Sequence, residues 1–188
     1  ILGDKYNVFF SAQSLTPEQL NLLYNTIDVG VLISSNEGWG LSITEAVMTG
    51  KMVVGNVTGG IQDQFRFEDK EGTWVDFDDN FVSNYNGTYK KCGDWAVPVF
   101  PRGRKMIGSP PTPYIFDDVC DSRDVAKSLK KVYDIEPLTR KSRGLKGRKW
   151  MMSKEANMTS SLMGKRIIES CNKGFESFQK REKYDLFK

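Results

Sequence analysis

Val29-Gly30-Val31-Leu32-Ile33 is an unbroken apolar run that ends at Ser34-Ser35. A run of this kind suits a central parallel strand covered on both faces. A polar, glycine-bearing loop follows, Asn36-Glu37-Gly38-Trp39-Gly40, and then a predicted helix from about Leu41 to Thr49 that stops at Gly50. Met52-Val53-Val54-Gly55 is the next predicted strand and Thr58-Gly59-Gly60 the next loop, again leading into a helix. Upstream, Asn7-Val8-Phe9-Phe10 is expected to be a short buried strand. Thr16-Pro17-Glu18-Gln19 opens a helix with an N-cap hydroxyl, proline at the first helical position and glutamine at the third. Leu20, Leu23, Tyr24 and Ile27 follow at helical spacing, so one stripe of it is expected to be buried. Alternating strands and helices imply right-handed crossovers in a parallel sheet. The predicted fold is α/β, a Rossmann-like parallel sheet with flanking helices.

The rest of the chain reads differently. Residues 66–120 are expected to form an extended, irregular insertion, with Gly72-Thr73-Trp74-Val75-Asp76-Phe77 and Trp95-Ala96-Val97-Pro98-Val99 set among turn-rich sequence. Ser109-Pro110-Pro111-Thr112-Pro113 is compatible with neither a helix nor a central strand. Asp121-Ser122 caps a helix on which Val125, Ala126, Leu129, Val132 and Tyr133 share a face. Two more helices are predicted after Pro137, a basic one to about Met152 and a last one from Thr159 towards Phe178. The domain division expected is 1–136 for the Rossmann-like domain with its insertion and 137–188 for helices packing on it.

Composition excludes several chemistries. With 188 residues the chain is long enough to bury roughly 70% of its unfolded surface, so it needs no covalent staples. It contains no histidine, which removes histidine triads, histidine-ligated zinc and the usual imidazole base. Cys92, Cys120 and Cys171 are widely spaced and odd in number, which reads as free thiols in a reducing compartment. Asn56, Asn86 and Asn157 lie in Asn-X-Thr sequons, a weak acceptor signal without a secretory leader. No apolar run is long enough to span a bilayer. The sequence opens at Ile1 without an initiator methionine and is expected to be a piece of a larger polypeptide.

Charge is unevenly spread. From Arg140 onward 14 basic residues face 5 acidic ones, whereas the first 139 residues carry 13 against 19. Residues 140–149 hold six cations and no acid. Such a run reads first as a solvated helix face and second as a surface meeting phosphate groups. The lack of interleaved aromatics argues against nucleic acid.

Chemistry is concentrated in the two glycine loops. In an open parallel sheet, ligands bind outside the carboxyl ends of the strands, where both loops are expected. Glycine lets backbone N–H groups approach a ligand, and a helix N-terminus favours an anion, so the pair could cradle a pyrophosphate. Glu37 in the loop and Glu45 about a turn into the helix could face one crevice, where carboxylates accept paired hydrogen bonds from vicinal hydroxyls. For Glu45 a capping box, Ser42-Ile43-Thr44-Glu45, is an equal alternative.

Together, Ser35-Asn36-Glu37-Gly38-Trp39-Gly40-Leu41, Glu45-Ala46, Gly50, Val53-Val54 and Gly59-Gly60 resemble the signature of retaining GT-B glycosyltransferases of family 4, a Glu-x7-Glu pattern followed by a hydrophobic strand and a Gly-Gly loop. Leu22-Leu23-Tyr24 and the strand after Asp28 also fit that family's approach to the motif. The resemblance covers residues 7 to 65 well and 66–120 poorly. It implies that the chain is the C-terminal, donor-binding half of a GT-B fold, transferring a hexose from a nucleotide sugar with retention and without a cofactor or metal. Glu37 would contact the donor hexose and is the catalytic candidate, Glu45 would bind the ribose, and Ser11 to Leu15 would meet the base. Ser35, Gly38, Trp39, Gly40, Leu41, Gly59 and Gly60 would complete the donor site. The family's Arg-Lys diphosphate grip, first strand and N-terminal acceptor domain have no counterpart in this sequence, so the isolated chain is expected to be inactive. Arg102, Arg104 and Lys105 could reach the site, though a solvated loop is the first reading. The acceptor expected is a sugar, lipid or protein, and the location cytoplasmic, with residues 140–149 available to a membrane surface. The alternatives are a non-catalytic nucleotide-sugar-binding or assembly domain, and another GT-B-like enzyme such as an epimerase, which the missing histidine disfavours.

Overall fold

The computed structural model describes residues 7–75, 89 and 91–180. Its centre is a three-stranded parallel sheet in the order β1 (Val29–Leu32), β2 (Met52–Asn56) and β3 (Ala96–Val99). Helix α1 (Pro17–Thr26) precedes β1, and α2 (Leu41–Met48) crosses from β1 to β2. A 3-10 helix (Gly59–Phe65) leaves β2. After β3 come an antiparallel hairpin, β4 (Gly103–Met106) with β5 (Phe116–Val119), and helices α3 (Ser122–Tyr133), α4 (Pro137–Met151) and α5 (Ser160–Ser177). The expected α/β, Rossmann-like architecture is present.

Strand β2 shows why the sheet is two-faced. Every residue of it is buried, and alternate side chains serve different layers. Met52 and Val54 join Val97, Val99 and Val132 beneath α3, whereas Val53 joins Ile43, Val47, Ile61 and Trp150 beneath α2 and α4. Each such buried side chain contributes roughly 1.5–3 kcal/mol. An exposed pair such as Lys130–Asp134 contributes about 0–1 kcal/mol, so the two apolar layers decide the fold. Helix α4 reaches the sheet closely because it is notched. A Cβ at Gly144 would collide with the Gly50 carbonyl, and one at Gly147 would lie 2.5 Å from Trp95. Two mid-helix glycines cost about 1 kcal/mol each relative to alanine, offset here by the stacking of Trp95 on Trp150, ring centres 5.2 Å apart.

Several sequence expectations need correction. Residues 7–10 form no strand, and Phe9 and Phe10 are 90% and 94% exposed, because no element packs over them among the described residues. β1 is not central among the described strands: it pairs only with β2, and Val31 is exposed on its open side. The central strand is β2. Trp95–Val99 are not part of an irregular insertion, since Ala96–Val99 supply the sheet's third strand. Helix α3 is capped by Asp121 as expected, but only Val132 of the expected face is buried, and Ala126, Leu129 and Tyr133 are exposed. Leu23 on α1 is likewise exposed, while Leu20, Tyr24 and Ile27 are half-buried. Asp76 and Phe77, and the sequon at Asn86, lie outside the described residues.

Candidate functional site

Because β1, β2 and β3 run parallel, their carboxyl ends share one edge, and three connections leave from it: residues 33–40, residues 57–58, and the segment leading to the β4–β5 hairpin. They are bonded into one unit. Asn56 donates from Nδ2 to the Ser34 carbonyl at 2.9 Å, and the Asp118 amide donates to the Ser35 carbonyl at 2.9 Å. Thr58 Oγ1 donates to Asp118 Oδ2 at 2.7 Å. Asp118, 6% exposed, therefore ties the hairpin to both glycine loops, and Arg104 Nε pairs with its other oxygen at 3.5 Å.

The glycines of the second loop serve this interlock. Gly59 has φ +48°, and a Cβ there would collide with the Glu37 carbonyl. At Gly60 a Cβ would stand 2.6 Å from the Gly38 carbonyl and 2.8 Å from Trp39. The close approach expected between glycine backbone and ligand is, at Gly59 and Gly60, an approach of loop to loop. Gly38 is the converse, since a Cβ there would meet nothing within 4 Å. The first loop is pinned further along by a closed ring of hydrogen bonds. Trp39 Nε1 donates to Thr44 Oγ1 at 2.8 Å, Thr44 Oγ1 to Gln64 Oε1 at 2.8 Å, and Gln64 Nε2 to the Trp39 carbonyl at 2.6 Å. Gln64 is fully buried, so this ring satisfies a costly polar group while fixing the indole.

Glu37 sits half-buried in the first loop, and its carboxylate makes no hydrogen bond or ion pair among the described residues. Glu45 lies in the second turn of α2, half-buried, with Tyr24 Oη donating to Oε2 at 2.7 Å. Burial first, and then the hydrogen bond and charge of Glu45, push the Tyr24 phenol up to about 12, so it stays a donor at neutral pH. The expected capping box at Ser42–Glu45 is not formed. α2 begins at Leu41 behind Gly40, which is left-handed at φ 82° and makes no side-chain cap, so Ser42 is already inside the helix. The uncapped N-terminus of α2 leaves its first amides facing the same edge.

Among the other predicted site residues, Leu41 is 69% exposed, and Ser35 contributes its carbonyl to the interlock. Ser11 to Leu15 are exposed and outside any helix or strand. Arg102 is held away from the loops by Asp124, Nε to Oδ2 2.6 Å, whereas Arg104 is drawn to them through Asp118. Asn56 is 1% exposed and hydrogen-bonded, which removes it as an accessible sequon. Cys92, Cys120 and Cys171 are all free. Among the described residues no group of three or more Cys, Asp or Glu could hold a metal ion. A cleft of about 410 Å³ lies at the opposite, amino end of the sheet, lined in part by Asp28, Lys51 and Arg140. Two of its three cations are already used, Lys51 by the Asn25 carbonyl and Arg140 by the carbonyls of Tyr133 and Ile135, and the third, Lys141, is exposed.

Sequence reasoning missed Thr58, Gln64, Asp118 and the second role of Tyr24. Thr58 opens the second glycine loop, but its acceptor Asp118 is sixty positions further on and carries no local signal.

Glycine-bearing loops at the carboxyl edge of a parallel sheet, with an unpaired acid in the first of them, define a Rossmann-like α/β domain, a class whose ligands bind at that edge. Residues 2–82, the stretch that contains both loops, match the family described as Glycosyl transferases group 1. That match supports a glycosyltransferase, with a sugar donor and an acceptor. No curated protein matches the chain.

Proposed function

We propose that this chain is the donor-binding part of a retaining glycosyltransferase of the family 4 type, which moves a hexose from a nucleotide sugar to an acceptor hydroxyl. The observation that carries the reading is the interlocked pair of loops at the carboxyl edge, with the Glu37 carboxylate unpaired beside them. In this reading Glu45 accepts hydrogen bonds from the ribose hydroxyls, Glu37 from the hexose, and the amides of Gly38 to Leu41 face the sugar and phosphates. The acceptor oxygen bonds to the anomeric carbon as the bond to the diphosphate breaks, and the diphosphate oxygen takes the acceptor proton. The protein's part is electrostatic, with the amino end of α2 stabilising the departing anion, and no metal is called for.

A panel of UDP, GDP and ADP with their hexose conjugates, read by thermal shift and calorimetry, tests this. One base series should bind, Glu45→Ala should weaken every member of it tenfold or more, and Glu37→Ala should remove only the gain due to the hexose. Equal loss for nucleotide and conjugate in Glu37→Ala, or no binding by any series, would sink the assignment. The anomeric configuration of a transferred sugar, read by NMR, decides retention.

The partner proposed for residues 140–149 is an anionic membrane surface. Leu138, Lys141, Ser142, Leu145, Lys146 and Lys149 line an open groove along α4, and Leu138 and Leu145 are exposed between the cations. Apolar side chains at that spacing suit an acyl boundary, and Lys141 and Lys149 suit phosphate headgroups, whereas Lys146 is paired with Asp94 at 2.6 Å.

A further inference from the structure

Glu45 has an unusual partner for a half-buried carboxylate. No cation among the described residues pairs with it, and its one hydrogen bond comes from a neutral phenol on a different helix, Tyr24 Oη to Oε2 at 2.7 Å. A lysine or arginine there would cancel the charge and could occupy both oxygens. A phenol takes one lone pair of one oxygen and leaves the rest of the carboxylate as a charged acceptor. Oε1 is left without a partner among the described residues.

Helix α1 brings that phenol to Glu45 without being part of the core. Its start is set by a complete capping box, Thr16 Oγ1 accepting from the Gln19 amide and Gln19 Oε1 from the Thr16 amide, with Pro17 at the first turn. No residue of α1 is buried. The Tyr24 ring already packs against the apolar cluster that contains Ala46 and Val47, so the ring alone would serve to dock the helix. What the hydroxyl adds is felt at one place, the Glu45 carboxylate.

We propose that Tyr24 is a positioning residue for Glu45, holding Oε2 so that the carboxylate meets a vicinal diol and discriminates ribose from 2′-deoxyribose in the donor. The inference rests on the proposed function in one respect, that Glu45 faces the nucleotide ribose. Oε1 and the free lone pair of Oε2 then accept from the two hydroxyls. Rotation of an untethered carboxylate would spoil that two-point contact while leaving base, phosphate and loop contacts as they are.

The test uses the whole chain, with Tyr24→Phe, Glu45→Gln and the double variant, titrated calorimetrically with UDP, GDP and ADP and their 2′-deoxy counterparts. For the nucleotide that binds best, the unaltered chain should prefer the ribo form about tenfold, equivalent to about 1.4 kcal/mol. Tyr24→Phe should lose most of that preference by weakening the ribo form alone, Glu45→Gln should abolish it, and adding Tyr24→Phe to Glu45→Gln should change nothing further. Tyr24→Phe weakening both forms equally, or preserving the ratio, would overturn the proposal while leaving the donor site standing. A ribo-to-deoxy ratio of one in the unaltered chain, or no binding, would remove the Glu45 assignment and this inference with it. A ligand-free readout covers a Tyr24→Phe chain that fails to fold. In Glu45→Gln the alkaline absorbance titration should show one tyrosine ionising at lower pH than in the unaltered chain, and an unchanged titration would overturn the tether.

Discussion

Single residues in this chain are informative where burial changes what a side chain can do. Burial pushes the Cys92 thiol up to about 12 against the opposing charge of Lys131, and Cys120 to about 11, from an ordinary value of 9.0, with nearby acids adding to both, and Tyr24 rises to about 12 from 10.0. In all three the native fold retains a proton that the unfolded chain releases first. Their contribution to stability is therefore complete below about pH 9 and is lost as pH climbs from about 9 towards 12. The melting temperature should be flat up to about pH 8.5 and fall beyond about pH 9, with a shallower fall in Tyr24→Phe. A melting temperature constant to about pH 11 would contradict the burial of these groups. None of this is visible in the sequence, where Tyr24 is simply one member of an apolar stripe. The hydroxyl's partner is twenty-one positions away.

At the scale of elements, local rules were sufficient wherever the deciding contacts are local. The α1 capping box, the Asp121 cap of α3 and the stop of α2 at Gly50 all depend on residues within four positions of one another. The β4–β5 hairpin is the opposite case. Its strands are short and polar, and its attachment depends on Asp118 reaching Thr58 and Ser35. Asp118→Ala should take from the buried Thr58 hydroxyl its charged acceptor at 2.7 Å, leaving it only the Ser35 carbonyl at 3.4 Å, and cost about 1–3 kcal/mol in urea unfolding. Amide exchange should accelerate in residues 103–119 and in Ser35 to Trp39 while β2 stays protected. Unaltered exchange at Ser35 would show that the hairpin does not hold the loops. The expected strand at residues 7–10 failed for the same physical reason in reverse: an apolar run specifies a strand only where another strand or helix covers it.

Over the whole molecule, charge and apolar surface are arranged in ways that only the assembled fold reveals. The basic run splits into a working inner face and an outer one. Arg140 closes the end of α3, and Gly144, Gly147 and Trp150 pack inward, which leaves Lys141, Leu145 and Lys149 outward. Vesicles containing anionic lipid should sediment the chain at low salt and release it as ionic strength rises, and neutral vesicles should not. Lys141→Glu with Lys149→Glu should abolish the effect without changing the melting temperature by more than a degree or two, since both are surface positions. Binding that ignores salt and these substitutions would remove α4 as the docking face. No residue of helix α5 is buried, and its Met163, Ile167, Ile168 and Phe175 are exposed.

The α/β class, the helix starts and stops, and the two glycine loops with Glu37 and Glu45 are legible in the sequence, because each of these is written in a short contiguous pattern. Long-range packing decides instead that β2 is the central described strand, that residues 96–99 complete the described sheet, that Asp118 bonds to both glycine loops and that Tyr24 bonds to Glu45. Those outcomes depend on which distant segments pack together, and packing is set by the shape and burial of whole faces, a property that no single stretch of residues carries.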